Sequence, residues 1–326
     1  LFRSMSSALD PERIWHPDDQ PTAEARQILK DENLIAAKYW GGFQWRIVLT
    51  FLVFSAGWVT TLVLGINGAI PLWLGLIINT AFAATFYMPM HEAVHRNVWG
   101  KQMRFRKGED ILGILCSIPL LLSFGVHRPS HMRHHAYTND ADRDPDYFAQ
   151  GKMKELPMKW WAVTVSFSLM PLFAFVPPAR KLLPKIVLQN ASRQGVIRAE
   201  GKIQFRFWII VHVVLLVAFL NGFGLEALLL WYIPARLQFC WLLTVFAWFP
   251  HHPSVGAGRY IDTRVAVFPG SRFLIRGHDH HALHHLFPRV AHYRLRALWA
   301  EMAEDLVTKG VRSEGGAVAA TGPVIW

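Results

Sequence analysis

AIPLWLGLIINTAFAATFYMPMHEAVH, residues 69–95, decides the fold. Its first part, Ala69–Met90, carries no charge and is close to the ~20 residues needed to cross a bilayer. It runs without a break into His91-Glu-Ala-Val-His95. Residues three and four apart share one helix face, so a helix leaving the membrane here presents two imidazoles side by side. Two further stretches repeat the device: His131-Met-Arg-His134-His135 and His281-Ala-Leu-His284-His285. A smaller run, Phe-Pro-His-His-Pro, holds His251 and His252. Neutral imidazole is the commonest metal ligand and suits zinc, copper, iron and nickel. A closed zinc site takes about four ligands. Eight box histidines plus His251 exceed that number and fit two metals with four or five ligands each. No cysteine lies in the boxes, which argues against an iron–sulfur cluster.

Working outward, the apolar segments predict four crossings, at about Ile47–Leu64, Ala69–Met90, Phe207–Leu220 and Leu225–Phe249. The turns Gly65-Ile-Asn-Gly68 and Asn221-Gly-Phe-Gly224 lack Lys and Arg, whereas 96–109 is strongly basic. By the positive-inside rule the boxes then face the cytoplasm. Ile111–Val126 is short, contains Pro119 and is flanked by boxes. A crossing there would put the first two boxes on opposite sides, so a re-entrant or interfacial segment is expected. Met158–Val176 has lysines before it and Arg180, Lys181 and Lys185 after it. With Pro171, Pro177 and Pro178 breaking it, it is expected to lie along or dip into the membrane. Four crossings, an even number, return His251 and the third box to the side of the first two.

The expectation is an all-α integral membrane protein of four transmembrane helices, with a cytoplasmic cap carrying a di-iron site. Residues 1–46 form an N-terminal cytoplasmic or interfacial segment, with an amphipathic helix from Thr22 to Tyr39 on the membrane surface. Residues 47–300 form the membrane and cap domain, and 301–326 the end of a helix (about Tyr293–Lys309) and a mobile tail. The 326 residues are 52% hydrophobic, which suits a membrane protein, and the formal net charge is +11. The apolar spans argue that this charge meets anionic lipid or an acidic protein rather than nucleic acid. Cys116 and Cys240 both lie in apolar stretches and imply no disulfide framework. No cleavable signal peptide is expected at the start of the chain.

The three boxes resemble those of the membrane fatty acid desaturase superfamily, non-haem di-iron enzymes that desaturate or hydroxylate lipids. The likeness covers about residues 45–300 and includes His135-Ala-Tyr-Thr-Asn-Asp, Asp144-Pro-Asp146-Tyr-Phe, Phe249-Pro-His251, Gly258-Arg-Tyr, Asp262-Thr-Arg and His285-Leu-Phe-Pro288. The last of these runs are most similar to desaturase-like carotene hydroxylases and ketolases. The resemblance implies nine metal ligands: His91, His95, His131, His134, His135, His251, His281, His284 and His285. It implies two iron ions, O2 as co-substrate, a lipid substrate, and electrons from a separate ferredoxin- or cytochrome-like donor. It also implies an integral membrane location, the inner (cytoplasmic) membrane if the source is bacterial. The activity expected is oxidation of an unactivated C–H bond of a lipid acyl chain. The alternatives are a carotenoid ring hydroxylase or ketolase and, from other classes, a zinc-dependent membrane hydrolase or a metal transporter.

Metal-bound histidines usually give their other N–H to a carboxylate or carbonyl. Asn139, Asp144, Asp146 and Asp279 are the expected outer partners. Arg236 and Gln238, polar within the fourth span, are expected to line the substrate cavity. His252 is the alternative to His251. His127 could share a helix face with His131, but Pro129 should disturb a helix between them. His278 and His280 crowd the third box. His16, His212 and His292 read as ordinary surface or interfacial residues, and Glu92 points about 100° away from its neighbouring ligand.

Overall fold

The computed structural model describes residues 21–100, 105–175, 178, 181, 198–254 and 256–317. Residues 1–20, with His16, the tail 318–326 and the far end of the Met158–Val176 segment lie outside the described residues. Four helices are long and apolar enough to cross a membrane. They are α2 (Trp45–Ile66), α3 (Leu72–Val94), α7 (Arg198–Leu220) and α8 (Gly224–His251). Helices α2, α7 and α8 contain the spans expected of them, and α3 starts three residues after its expected span, behind Pro71. The most apolar window is 11% buried in α2 and α7 but 44% buried in α3 and α8, so α3 and α8 form the inner pair. Leu52, Val53, Val59 and Val63 of α2 face outward, as lipid-contacting residues do.

Two details hold the inner pair together. Buried Asn79 of α3 donates to the Leu230 carbonyl at 2.7 Å. That carbonyl belongs to a π-helical stretch of α8, Leu228–Tyr232, and a second such stretch, Leu243–Trp248, precedes His251. π-Segments change the angular register of a helix and occur often at functional sites.

Helices α4 (Arg106–Leu120) and α5 (Phe124–Tyr137) meet at a bend of 102°. The bend returns the chain to the side from which α4 started, so the first and second boxes come together, as a re-entrant segment requires. Gly113 permits the close approach at the bend: a Cβ there would meet the Phe124 ring at 2.4 Å. At the bend Leu121 sits in the left-handed region at φ 47°. Its carbonyl accepts from Arg236 (3.1 Å), and the Leu120 carbonyl accepts from Gln238 (3.2 Å). The guanidinium lies among the rings of Tyr232, Phe167 and Trp208. Arg236 and Gln238 therefore do not line the cavity beside the histidines. They satisfy the carbonyls that a helix end leaves open inside an apolar bundle.

Helix α6 (Leu156–Phe175) passes through Pro171 without a break, contrary to expectation. It packs along α8, with Trp160 Nε1 donating to Thr244 Oγ1 (3.0 Å) and Phe167 against Phe239. Pro129 likewise sits inside α5 without ending it.

The cap is built from α9 (His281–Leu286), α10 (Leu295–Thr308) and a parallel strand pair, β1 (Arg264–Val267) with β2 (Arg312–Gly315). This pair is the one departure from helix among the described elements, and it holds residues 312–315, which had been assigned to the tail. Leu283, Leu286, Leu295, Leu298, Met302 and Leu306 form the cap core. Helix α1 (Ala23–Ala36) starts at Thr22, whose Oγ1 accepts from the Ala25 N–H. Its buried face does not rest on a membrane. Ala36 joins the cap core, and buried Glu32 accepts from Arg259 (2.8 Å), Tyr260 (2.6 Å) and Lys309 (3.0 Å).

Candidate metal centre

Each box reaches the site on a helix end. His91 and His95 close α3, His251 sits in the last turn of α8, His131, His134 and His135 lie on α5, and His281, His284 and His285 lie on α9. The nine predicted histidines fall into two groups. His91, His95, His131, His135 and His284 form one, and His134, His251, His281 and His285 the other; within each, one ring nitrogen per residue lies within 4.8 Å of all the others. In the first group the Nε2 atoms of His95 and His135 each lie 3.0 Å from His131 Nε2. In the second, His281 Nε2 lies 3.1 Å from His251 Nε2 and 3.0 Å from His285 Nε2. The groups adjoin, with the His135 and His285 rings stacked at 4.2 Å. The i, i+3, i+4 spacing explains the division: on α5, and again on α9, the three box histidines are shared between both groups.

The donor set fits two metal ions. His131 Nε2 and His281 Nε2 each face two other ring nitrogens, and a neutral imidazole nitrogen has either one proton or one lone pair to offer, so these contacts suit a shared metal better than hydrogen bonding. Both nitrogens of His91, Nδ1 of His135, His251 and His281, and Nε2 of His284 are buried with no protein partner. Buried polar atoms rarely lack a partner. Burial also pushes His131, His135, His281, His284 and His285 well below the usual imidazole range. They are held neutral, the ligating form. No ligand here is a thiolate, and five-plus-four nitrogen ligation does not match the three-ligand site of a hydrolytic zinc.

The surrounding groups orient the rings. Asp144, buried, lies 2.8 Å from His134 Nδ1 and also accepts from the N–H groups of Asn139 (2.9 Å) and Asp146 (2.8 Å). Burial alone would lower the His134 pKa, but the Asp144 carboxylate outweighs it and lifts it to about 9. Asp144 thus holds a proton on Nδ1, and a metal at Nε2 would take the place of the second proton that the ring otherwise carries at neutral pH. Asp146 stands 3.9 Å from the same nitrogen. Asn139 touches no box imidazole. Its side-chain amide donates to the carbonyls of Gly256 and Asp262, pinning the loop after the second box to the cap.

Asp279 also departs from expectation. It accepts from Ser271 (2.9 Å) and lies 3.0 Å from His280 Nδ1, reaching no box histidine. The outer partners of the third box are instead Thr138 and Asp262. Thr138 Oγ1 donates to the His134 carbonyl (2.7 Å) and lies 3.1 Å from His285 Nδ1, while Asp262 Oδ2 lies 3.8 Å from that nitrogen. Burial raises the Asp262 pKa to about 7. Both residues stand in the runs His135-Ala-Tyr-Thr-Asn-Asp and Asp262-Thr-Arg, which was the available signal. His292 is no ordinary surface residue: its N–H donates to Glu92 (2.8 Å) and its Nδ1 lies 2.7 Å from the same oxygen. Glu92 turns away from the metal groups, towards His292 and Asn97. His252 stacks on Trp248 outside both groups, and His212 packs between Trp208 and Tyr232 within the membrane part.

A cavity of about 230 Å³ reaches the histidines from the membrane side. His131, His134 and His281 form its inner end, and Leu242, Leu243 and Phe246 of α8 part of its apolar wall. His127 and His278 also line it, beside Tyr87 but outside both ligand groups.

The chain matches the family model described as "Fatty acid desaturase" over residues 67–313, about three quarters of its length and all nine histidines. No curated protein matches the chain.

Proposed function

The chain belongs to the fatty acid desaturase family, and on that premise we propose that it is an O2-dependent di-iron oxidoreductase acting on an unactivated C–H bond of a membrane lipid acyl chain. The observation that carries this reading is the sorting of nine histidines into two adjoining groups at the end of an apolar cavity. His91, His95, His131, His135 and His284 would hold one iron, and His134, His251, His281 and His285 the other. Bound there, the metals supply the oxidising power that acid–base side chains lack. The protein's own part is threefold. Asp144 and Thr138 orient His134 and His285, the apolar wall of α8 excludes water, and the cavity holds a carbon beside the imidazoles.

The electron balance fixes what else is required. Desaturation converts one O2, two electrons and two protons, with two substrate hydrogens, into two waters and an alkene. Hydroxylation uses the same inputs and gives an alcohol and one water. Both need two electrons per turnover from a separate ferredoxin- or cytochrome-like donor, and the basic sequence 96–109, which directly follows the first box, suits an acidic partner. Its charge also supports a cytoplasmic site at the inner membrane, if the source is bacterial. A hydroxylase of carotenoid rings is the second reading, favoured by the runs from Phe249 to Arg264.

Elemental analysis of the purified protein, followed by product analysis with O2 and an electron donor, tests the proposal. Two irons per chain and an acyl lipid lacking two hydrogens, or carrying one new hydroxyl, are expected. Turnover of a carotene but not of acyl lipids selects the second reading. One zinc per chain with no iron, and no O2 consumption, overturns both in favour of a hydrolase.

A further inference from the structure

A second and larger cavity lies on the other side of the His278–His281 turn. It has a volume of about 760 Å³ and touches none of the nine ligand histidines. Four arginines line it: Arg46 from the first turn of α2, Arg272 and Arg276 from the segment before the third box, and Arg296 from α10. One acid, Asp279, shares the lining, and its carboxylate is occupied by Ser271 and His280. Among the described residues no carboxylate forms an ion pair with any of the four arginines. Arg46, Arg272 and Arg296 are exposed, and Arg276 donates to the Thr85 carbonyl at 3.4 Å; Arg46 and Arg276 also lie over the Tyr293 and Phe54 rings. Four like charges gathered in one cavity without counter-charge form a site for an anion, and guanidinium suits phosphate.

The rest of the wall distinguishes a lipid from a soluble anion. Arg46, Ile47, Thr50 and Phe54 line the cavity along one face of α2, a transmembrane helix. From Arg46 to Phe54 this face descends about 12 Å along the helix axis, at 1.5 Å per residue. A free phosphate has no use for an apolar wall of that depth below the charges. A phospholipid does: its phosphate sits at the level of Arg46 and its acyl chains run down past Phe54. The mouth is built for the same boundary. Phe273, in the cavity lining, is 79% exposed, and Leu274 and Trp45, the chain neighbours of Phe273 and Arg46, are exposed too, apolar and aromatic groups of the kind found at headgroup level.

We infer that this cavity is a binding site for the phosphate of an acidic membrane phospholipid, separate from the reaction cavity. The lipid braces the segment that carries the third box. Arg276 and Gly277 both lie in the left-handed region, at φ 49° and 97°, and lead directly into His278–His281. An anion held by Arg272 and Arg276 fixes the approach to α9. The inference concerns binding alone and stands whichever substrate the enzyme oxidises.

Native mass spectrometry of the full chain in detergent, titrated with phosphatidylglycerol or phosphatidylcholine, tests it. The wild type is expected to prefer phosphatidylglycerol. Arg272→Gln with Arg296→Gln is expected to weaken its binding about thirtyfold, from the typical contribution of two cationic side chains near a lipid surface. Lys152→Gln with Lys154→Gln, exposed lysines outside the cavity, is the control and should keep the preference. If the double arginine variant does not fold, Arg296→Glu alone is read against the same two lipids, with loss of preference expected. Equal binding of both lipids by the wild type overturns the inference. So does retained preference in the arginine variants, or an equal loss in the lysine control. Complete displacement of phosphatidylglycerol by inorganic phosphate would show a free-anion site and overturn the assignment to a lipid.

Discussion

Replacing Asp144 by Asn should weaken one metal position and spare the other. Three N–H groups depend on this buried carboxylate: His134 Nδ1 at 2.8 Å, Asn139 N at 2.9 Å and Asp146 N at 2.8 Å. A carboxylate offers about four acceptor positions, whereas an amide offers one oxygen and a donating NH2. If the amide oxygen keeps His134 and Asp146, its NH2 faces the Asn139 N–H. If it turns the other way, His134 loses its acceptor. Either arrangement leaves a buried donor unmatched, at about 1–3 kcal/mol. The range agrees with the roughly 10–100-fold loss of metal affinity typical when an outer partner of a ligating histidine is removed. Chelator competition on iron-loaded protein is the assay. One iron should leave about 10–100-fold more readily, the other at the wild-type rate, because His134 belongs to the four-histidine group only. Two irons held as tightly as in the wild type, or lost together at the same rate, would refute the reasoning.

Glu32→Gln should lower stability at neutral pH by about 3–5 kcal/mol, since it removes the buried carboxylate shared by Arg259, Tyr260 and Lys309. Burial raises the Glu32 pKa, but Arg259 and the other partners outweigh it and hold the carboxyl below its usual value. Its stabilisation is therefore complete above about pH 4.3, the unfolded value, and is lost as the pH falls through the lower folded value. The gap between wild-type and variant melting temperatures should stay constant from neutral pH to about 5 and close on further acidification; a gap independent of pH would contradict this. Arg236→Met should lower stability by about 1–3 kcal/mol for the unpaired Leu121 carbonyl, read as a lower melting temperature, while metal content and product distribution stay unchanged. A change of product at unchanged stability would restore Arg236 to the substrate cavity.

Much of this architecture is legible in the sequence because its signals are local. A span is a run of apolar residues, and a box is a spacing of three or four on one helix. The eight box histidines and the number of crossings follow from such patterns, whereas His251 stands alone at the end of its span and enters only through the family resemblance. The outer partners do not, because they are chosen in three dimensions. Asp279 is two residues from His281 yet turns to Ser271 and His280, while Thr138 reaches His285 across 147 positions. Arg236 shows the same limit. A charged residue within a span signals a polar requirement nearby, but only the fold reveals the open carbonyls at the end of α4. Pro129 and Pro171 are local breaker signals that tertiary packing overrides, since both sit in helices that continue past them. The strand at Arg312–Gly315 lay hidden because its partner, Arg264–Val267, is half a hundred residues away and neither strand alternates strongly.

The clasp between Glu32 and Lys309 has a consequence for the order of events during synthesis. Its partners are 277 positions apart. At about 5–20 residues per second, roughly 14–55 s separate the appearance of Glu32 from that of Lys309. Helix α1 is among the first elements made and among the last that can dock. The two imidazole groups share this timetable, since neither is complete until His284 and His285 have emerged. The membrane helices must therefore insert and wait with their histidines unassembled. The cap closes over the metal groups, and α1 over the cap, only when nearly the whole described chain is in place.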